Sequence, residues 1–113
     1  MIETERLIIR PVEFTDEHFI LELLNEPQFI NNIGDKNVRS LADARDYMEK
    51  GPLTCQQQNG FSLMTVKLKT GELIGLCGLL KRDELQYPDL GYAYLARYFR
   101  RGYGYEAAAG VLK

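Results

Sequence analysis

The chain of 113 residues has few of the side chains that bind metals. It contains one histidine, His18, and two cysteines, Cys55 and Cys77, which do not form a Cys-x-x-Cys pair. A structural zinc site needs about four such ligands at characteristic spacings. The sequence therefore predicts no metal, and it favours two free thiols in a reducing cytoplasm over a disulfide.

Long apolar runs are also missing. No apolar segment approaches the roughly 20 residues that cross a bilayer, and residues 1–6 are too acidic and polar for a secretory signal. The hydrophobic fraction of 45% and the charged fraction of 27% are typical of a soluble globular protein. We therefore expect one cytoplasmic domain spanning residues 1–113, without a membrane partner.

The net charge is small but unevenly distributed. The net charge is −2, yet residues 91–113 contain four basic residues and one acidic residue. An acidic chain is a poor nucleic-acid binder, so we predict no nucleic-acid partner. A small basic segment suits a compact anionic ligand better.

The hydrophobic pattern predicts mixed α/β architecture in the order β-α-α-β-β-β-loop-α. The glycines Gly75 and Gly78 are expected to permit close backbone packing or a bulge, and Gly51-Pro52 either breaks the second helix or joins it to another helical piece. The predicted elements are a strand over 4–10 closed by Pro11, a helix over 16–25 capped by Thr15 and ended by Pro27, a helix over 41–50 capped by Ser40, a hairpin of 61–68 and 73–80, a polar loop over 81–88, and a strand over 89–95.

The most informative motif is Arg-Arg-Gly-Tyr-Gly-Tyr-Glu-Ala at residues 100–107. Glycines allow close approach of the backbone to an anion, and the free N–H groups of a helix start attract its charge. Gly102, Gly104 and Ala107 match the dinucleotide pattern G-x-G-x-x-G/A, but here an antiparallel meander precedes them and not the first strand of a βαβ unit. No Gly-Lys-Ser/Thr follows, which argues against a nucleoside triphosphate. The motif therefore predicts a pyrophosphate site for another kind of cofactor.

Residues 91–107, together with Glu3–Pro11 and Gly71–Gly75, resemble the GNAT superfamily of N-acetyltransferases, and within it the branch of ribosomal-protein N-terminal acetyltransferases. The resemblance covers the whole chain in order. It implies acetyl-CoA as cosubstrate and an amine acceptor, either a protein N-terminus or a small molecule. It also implies that backbone groups of Tyr94, Leu95 and Ala96 contact the pantetheine arm, and that the following loop holds the pyrophosphate through Phe99, Arg100, Arg101, Gly102, Tyr103 and Gly104.

The chain departs from the family pattern in two ways. Phe99 stands where the motif has glutamine or arginine, and Arg100 stands where glycine is common; the Arg100 side chain either obstructs the diphosphate or adds a contact to it. Family domains also continue beyond this helix with a further strand, a helix and a hairpin. The resemblance therefore implies an incomplete GNAT fold that lacks the C-terminal strands.

The expected chemistry is direct attack of an amine on the thioester, assisted by a base. Asp89 is the candidate base by its position near the start of the strand before the loop, and a solvated strand-end aspartate is the alternative. The alternative function is a CoA-binding or non-catalytic fragment without turnover. An unpaired strand and an uncovered helix face predict association into a homo-oligomer.

Overall fold

A computed structural model describes residues 1–80 and 90–112 together with the backbone of Asp89. The predicted polar loop at 81–88 and Lys113 lie outside the described residues. Within the described part, the strands form one antiparallel sheet in chain order. They are β1 (Ile2–Glu3), β2 (Leu7–Pro11), β3 (Leu63–Leu68), β4 (Leu73–Leu80) and β5 (Asp89–Tyr94).

The helices follow the predicted order with one addition. They are α1 (Glu17–Leu24), α2 (Pro27–Asn32), α3 (Leu41–Met48), α4 (Thr54–Asn59) and α5 (Tyr103–Val111). A single π-helical turn, Glu49–Leu53, connects α3 to α4, so Gly51-Pro52 is a join and not a break. Ser40 caps α3 as predicted, because its side chain accepts a hydrogen bond from the Asp43 amide at 3.1 Å. No helix in the described part of the chain has the length and apolar character to span a membrane.

Three predicted boundaries were wrong. The strand predicted over 4–10 begins only at Leu7, and a separate strand, β1, precedes it, because the Thr4 amide donates to the Leu7 carbonyl at 2.9 Å and turns the chain between β1 and β2. Thr15 does not cap a helix, since it lies inside a short 3-10 helix, Phe14–Asp16, that precedes α1. Pro27 begins α2, where its missing N–H has no cost.

The sheet separates two apolar clusters. One lies beneath α1, α2 and α3 and includes Ile20, Leu23 and Leu76, and the other lies beneath α5 and includes Leu7 and Ile9. The register of β3 against β4 shifts between Val66 and Lys67, which marks a bulge in the ladder. Gly75 lies opposite Val66 beside this bulge, and it permits close packing of the backbone, as predicted. A Cβ at Gly75 would lie only 2.3 Å from the Tyr94 ring.

A buried carboxylate connects the first helix to the sheet. Asp16 is 1% exposed, and both of its oxygens accept hydrogen bonds from the Arg10 guanidinium at 2.9 and 3.0 Å. The Thr65 hydroxyl and the Glu13 amide also donate to it, at 2.8 and 3.0 Å. Because its oxygens have protein donors from β2 and β3, this carboxylate can stay charged inside the fold.

We predict that Asp16→Asn lowers the free energy of unfolding by about 3 kcal/mol, because it leaves Arg10 without a countercharge. Burial alone would raise the pKa of Asp16, but its hydrogen bonds, first of all from Arg10, outweigh burial and hold the pKa below its usual range. The stabilisation is therefore present above the unfolded pKa of about 3.9 and is lost as the pH falls toward the folded pKa.

Urea unfolding at pH 7 measures the stability lost in Asp16→Asn, and the same measurement at pH 3 shows how much of the difference between the two chains remains when the pH falls. Asp46→Asn is the control, since Asp46 forms an exposed pair with Lys50 that is worth under about 1 kcal/mol. Equal effects of the two substitutions at pH 7 would contradict the prediction.

Candidate cofactor site

The predicted site lies where β5 ends and α5 begins. Leu95, the residue after β5, is fully buried, and its amide donates to the Ile74 carbonyl at 2.9 Å. A short 3-10 helix, Ala96–Tyr98, then leads into the loop of residues 99–102. A buried side chain at one end and a helix at the other fix the two ends of this loop.

The loop backbone has the conformation that an anion site requires. Arg100 and Gly102 both adopt left-handed backbone angles, with φ of 63° and 80°. Gly102 is the N-cap of α5, and the first hydrogen bond inside the helix runs from the Glu106 amide to the Gly102 carbonyl at 3.1 Å. The amides that precede Glu106 in the helix consequently have no carbonyl partner within it, and they carry the positive end of the helix dipole.

The two arginines of the motif add positive charge at the same place. Arg100 and Arg101 are exposed and form no ion pair with the residues that the structure describes. Arg97, in the neighbouring 3-10 helix, differs from them because it is paired with Glu22 at 2.9 Å. Free amides and two unpaired guanidinium groups are the combination that holds phosphate oxygens.

The predicted pantetheine contacts are less open than the loop. The Leu95 amide is bonded to Ile74, and the Ala96 amide donates to the Glu26 carboxylate at 2.7 Å. The Tyr94 ring packs beneath the first turn of α5, 3.5 Å from the position that a Cβ on Gly104 would take. Burial, together with the neighbouring Cys77 thiol, raises the pKa of the Tyr94 hydroxyl. The binding roles of Tyr94, Leu95 and Ala96 stay predictions.

Asp89 is not brought to the loop. It begins β5 opposite Leu80, whereas the loop follows the other end of the same strand. At about 3.3 Å per residue, the Asp89 backbone lies roughly 20 Å from Leu95. Its role as base therefore stays a prediction. His18 is exposed on α1.

Sequence reasoning missed Glu26, which supplies a carboxylate at the end of β5. It is the N-cap residue of α2, and its extended backbone before Pro27 lets the side chain reach the Ala96 amide. The two residues are 70 positions apart. The available signal was Pro27 itself, because a proline at the first helical position indicates a cap immediately before it.

A cavity lies on the face of the sheet that α1, α2 and α3 cover, near the edge formed by β5. Its volume is about 790 Å³. Most of its lining is apolar, and the buried Ser62 hydroxyl in its wall has no hydrogen-bond partner among the described residues. Apolar and aromatic side chains that line it include Phe29, Tyr47, Leu76 and Tyr92, and Lys36 and Lys50 contribute positive charge.

Comparison with known proteins decides the family. Residues 6–113 match the acetyltransferase (GNAT) domain. The chain belongs to the GNAT acetyltransferase family. This confirms the resemblance inferred from the loop and from residues 3–11.

Three GNAT proteins illustrate the similarity. An uncharacterized N-acetyltransferase of Bacillus subtilis, YoaA, is 23% identical over 99% of this chain and 64% of its own length. The crystal structure of a GNAT-family acetyltransferase from Bacillus anthracis superposes with a TM-score of 0.78 and 26% identity, covering 99% of this chain and 63% of that one. RimL, a ribosomal L7/L12 alpha-N-protein acetyltransferase solved with coenzyme A, gives a TM-score of 0.74 at 13% identity, over 96% and 62%.

The chain therefore spans less than two thirds of the length of these GNAT relatives, between 62% and 64%. Their shared fold confirms the predicted mixed α/β architecture with an antiparallel sheet flanked by helices. In the described residues, no group of three or more histidine, cysteine, aspartate or glutamate side chains is placed to hold a metal ion.

We predict that Gly102→Ala lowers the free energy of unfolding by about 1 kcal/mol, because a side chain at φ of 80° is strained. Gly60→Ala is a matched control, since Gly60 has nearly the same backbone angles, 77° and 2° against 80° and 2°, with open space around it. Urea unfolding should give similar losses for both variants. A Gly102→Ala variant as stable as the unsubstituted chain would show that the loop is not left-handed in solution.

Proposed function

We propose that this chain forms the cofactor-binding part of a cytoplasmic acetyltransferase that transfers the acetyl group of acetyl-CoA to a primary amine. The observation that carries the proposal is the left-handed loop at Arg100 and Gly102, which leads into the free amides of α5 beside two arginines that have no acidic partner among the described residues. Membership of the GNAT family makes acetyl transfer the expected reaction class. The acceptor is a protein N-terminus or a small molecule.

The pyrophosphate of acetyl-CoA fits this loop in charge and in backbone geometry. We propose that the amides of residues 100–104 bind its oxygens and that Arg100 and Arg101 pair with its charge. The Phe99 amide donates to the Ala96 carbonyl at 3.0 Å, so its predicted contact with the pyrophosphate would require that bond to open. The coenzyme A in the RimL structure supports the choice of this ligand. The pantetheine arm would then extend along the end of β5, toward Tyr94, Leu95 and Ala96.

The proposal requires the Ala96 amide to exchange one hydrogen-bond acceptor for another. This amide holds the Glu26 carboxylate, and a pantetheine oxygen that accepts from the same amide has to displace that carboxylate. Release would leave Glu26 at the end of β5 as a free base, in addition to Asp89 at its start. The amine loses its proton to such a base, the new C–N bond replaces the C–S bond, and the CoA thiolate leaves.

We propose that the acceptor approaches through the cavity between the helices and β5. The apolar part of its lining suits the body of an acceptor, and Lys36, Lys50 and the buried Ser62 hydroxyl offer polar contacts. The Tyr92 side chain, which is 64% exposed, stands at the margin of this cavity. Cofactor and acceptor would then meet at β5 from its two ends.

We predict that calorimetric titration gives a dissociation constant for CoA on the order of micromolar. Gly102→Asp should abolish binding, because it puts a carboxylate where the pyrophosphate charge must lie. Gly60→Asp, at a left-handed glycine remote from the loop, is the control and should bind as the unsubstituted chain does. A folded chain that binds no CoA would overturn the cofactor proposal and leave the family assignment intact.

Two substitutions decide what the Arg100 side chain does. Asparagine tolerates the left-handed region and has no charge, so Arg100→Asn should weaken CoA binding about tenfold if the guanidinium contacts phosphate. Tighter binding by Arg100→Gly would show that the side chain obstructs the diphosphate. Arg101→Ala should also weaken binding about tenfold, which the same titration measures.

The second candidate function is a non-catalytic module that self-associates. In the described residues β5 pairs with β4 alone, so its other edge has no strand partner. Exposed aromatic side chains flank this edge and the start of α5, namely Tyr92, Phe99 and Tyr105. A free edge beside exposed aromatic rings favours pairing with a second copy of the chain.

We predict a homodimer at concentrations of about 100 μM, the range expected for weak pairing of edge strands. Sedimentation equilibrium measures its mass. Tyr92→Lys should shift the equilibrium to monomer, because a charge on an edge strand opposes pairing. A strictly monomeric chain would contradict the oligomer proposal.

An assay of thioester loss from acetyl-CoA with candidate amines distinguishes the enzyme from the non-catalytic module, because only the enzyme consumes the thioester.

A further inference from the structure

We propose that Arg6 is a positioning residue that sets the conformation of the pyrophosphate loop from the turn between β1 and β2. Its side chain contacts three parts of the loop and of α5 at once. The consequence for cofactor binding rests on the function proposed above, whereas the conformational role does not.

The guanidinium of Arg6 is divided between two acceptors. Its Nε donates to Oε1 of Glu106 at 2.6 Å, and its Nη1 donates to the backbone carbonyl of Arg101 at 3.0 Å. The same group lies over the Tyr103 ring, with Cζ 4.5 Å from the centroid. The next residue, Gly102, is also close, because a Cβ there would lie 3.3 Å from Nη2 of Arg6. Arg6 therefore contacts Arg101 and Tyr103 and lies close to Gly102 between them.

The Glu106 carboxylate fixes the first turn of α5 to the same place. It accepts hydrogen bonds from the Thr4 hydroxyl, from the Arg6 amide at 2.8 Å and from the Arg6 side chain. Burial alone would raise the pKa of Glu106, but these hydrogen bonds, led by that of Thr4, hold it below its usual range. A carboxylate in the first helical turn also interacts favourably with the helix dipole.

The turn that carries Arg6 is itself held in place. The Leu7 amide donates to the Thr4 hydroxyl at 3.1 Å, and the Lys69 amide donates to the Arg6 carbonyl at 3.0 Å. Farther along α5, Gly110 packs against the same segment, because a Cβ there would lie 3.0 Å from the Thr4 methyl group. The turn is therefore a fixed support, and α5 contacts it near both of its ends.

This geometry gives Arg6 a different role from Arg100 and Arg101. Arg6 binds the loop through a hydrogen-bond acceptor, the Arg101 carbonyl. It therefore does not occupy the loop amides, which are donors. The side chain of Arg6 is 43% exposed, and an exposed ion pair contributes little to global stability. Removal of the Arg6 side chain is therefore expected to have a local effect: the loop loses its fixed conformation while the fold persists.

Lysine cannot replace arginine in this arrangement. A guanidinium has donors in a rigid planar fork and stacks on aromatic rings, whereas an ammonium is a point charge. We expect Arg6→Lys to keep the attraction to Glu106 and to lose the simultaneous contacts with the Arg101 carbonyl and the Tyr103 ring. The comparison of Arg6→Lys with Arg6→Ala therefore separates charge from geometry.

The test is hydrogen exchange at the Phe99 and Glu106 amides, which donate to the Ala96 and Gly102 carbonyls at the two ends of the loop, in the 113-residue chain with and without CoA. The variants are Arg6→Ala, Arg6→Lys and Glu106→Gln, and each should raise exchange at these amides about tenfold without changing exchange in β3 and β4. Affinity for CoA should fall about tenfold in the same variants.

Arg45→Ala is the matched control, because Arg45 pairs with Glu17 at 3.2 Å and lies 4.5 Å from the Phe14 ring centroid, remote from the loop. It should leave both loop exchange and CoA affinity unchanged. The proposal is overturned if loop exchange in the Arg6 variants equals that of the unsubstituted chain, or if Arg6→Lys behaves as the unsubstituted chain does. Should the unsubstituted chain bind no CoA, the proposed function fails, and the exchange measurement still decides the role of Arg6.

Discussion

The buried Asp16 carboxylate is the interaction on which the helical side of the molecule depends. It is bonded to Arg10 on β2 and to Thr65 on β3, directly before α1 begins. The start of α1 is thereby fixed over the middle of the sheet, and the end of the helix is carried toward β5. Glu22 and Glu26 then reach Arg97 and the Ala96 amide beyond β5. The buried Asp16 carboxylate at the start of α1 thus helps to place Glu22 and Glu26, at and beyond the other end of the helix, beside the candidate site.

Pairing of charges explains why the site is basic in an acidic protein. Among the arginines that the structure describes, Arg100 and Arg101 are the two without an acidic partner. The others hold carboxylates that fix turns, helix starts and strand ends. The net charge of −2 therefore conceals a local excess of positive charge where the backbone also presents free amides. Such a distribution attracts a compact anion without attracting polyanions along the whole surface.

Local patterns predicted the strands and the loop, and contacts between distant residues could not be predicted. The bounds of β4 were correct because the turn residues 69–72 and the apolar run 73–80 are adjacent in sequence. The motif at 100–107 predicted the helix start in the same way. The split between β1 and β2 was missed because a side chain, Thr4, helps to form the turn. Glu26 and Arg6 were missed as parts of the site because their partners lie 70 and 100 residues away.

The 100-residue separation between Arg6 and Glu106 also has a consequence for the order of folding. Contacts that close such long loops carry a large entropy cost and form late, whereas the β3–β4 hairpin and the neighbouring helices are local. During synthesis, β2 has no β3 to pair with until more than 50 further residues have been added, judged from its register with that strand. We expect the helical layer and the hairpin to form while the chain is growing. The loop of residues 99–102 would take its conformation later, only after the segment that contains Glu106 has left the ribosome.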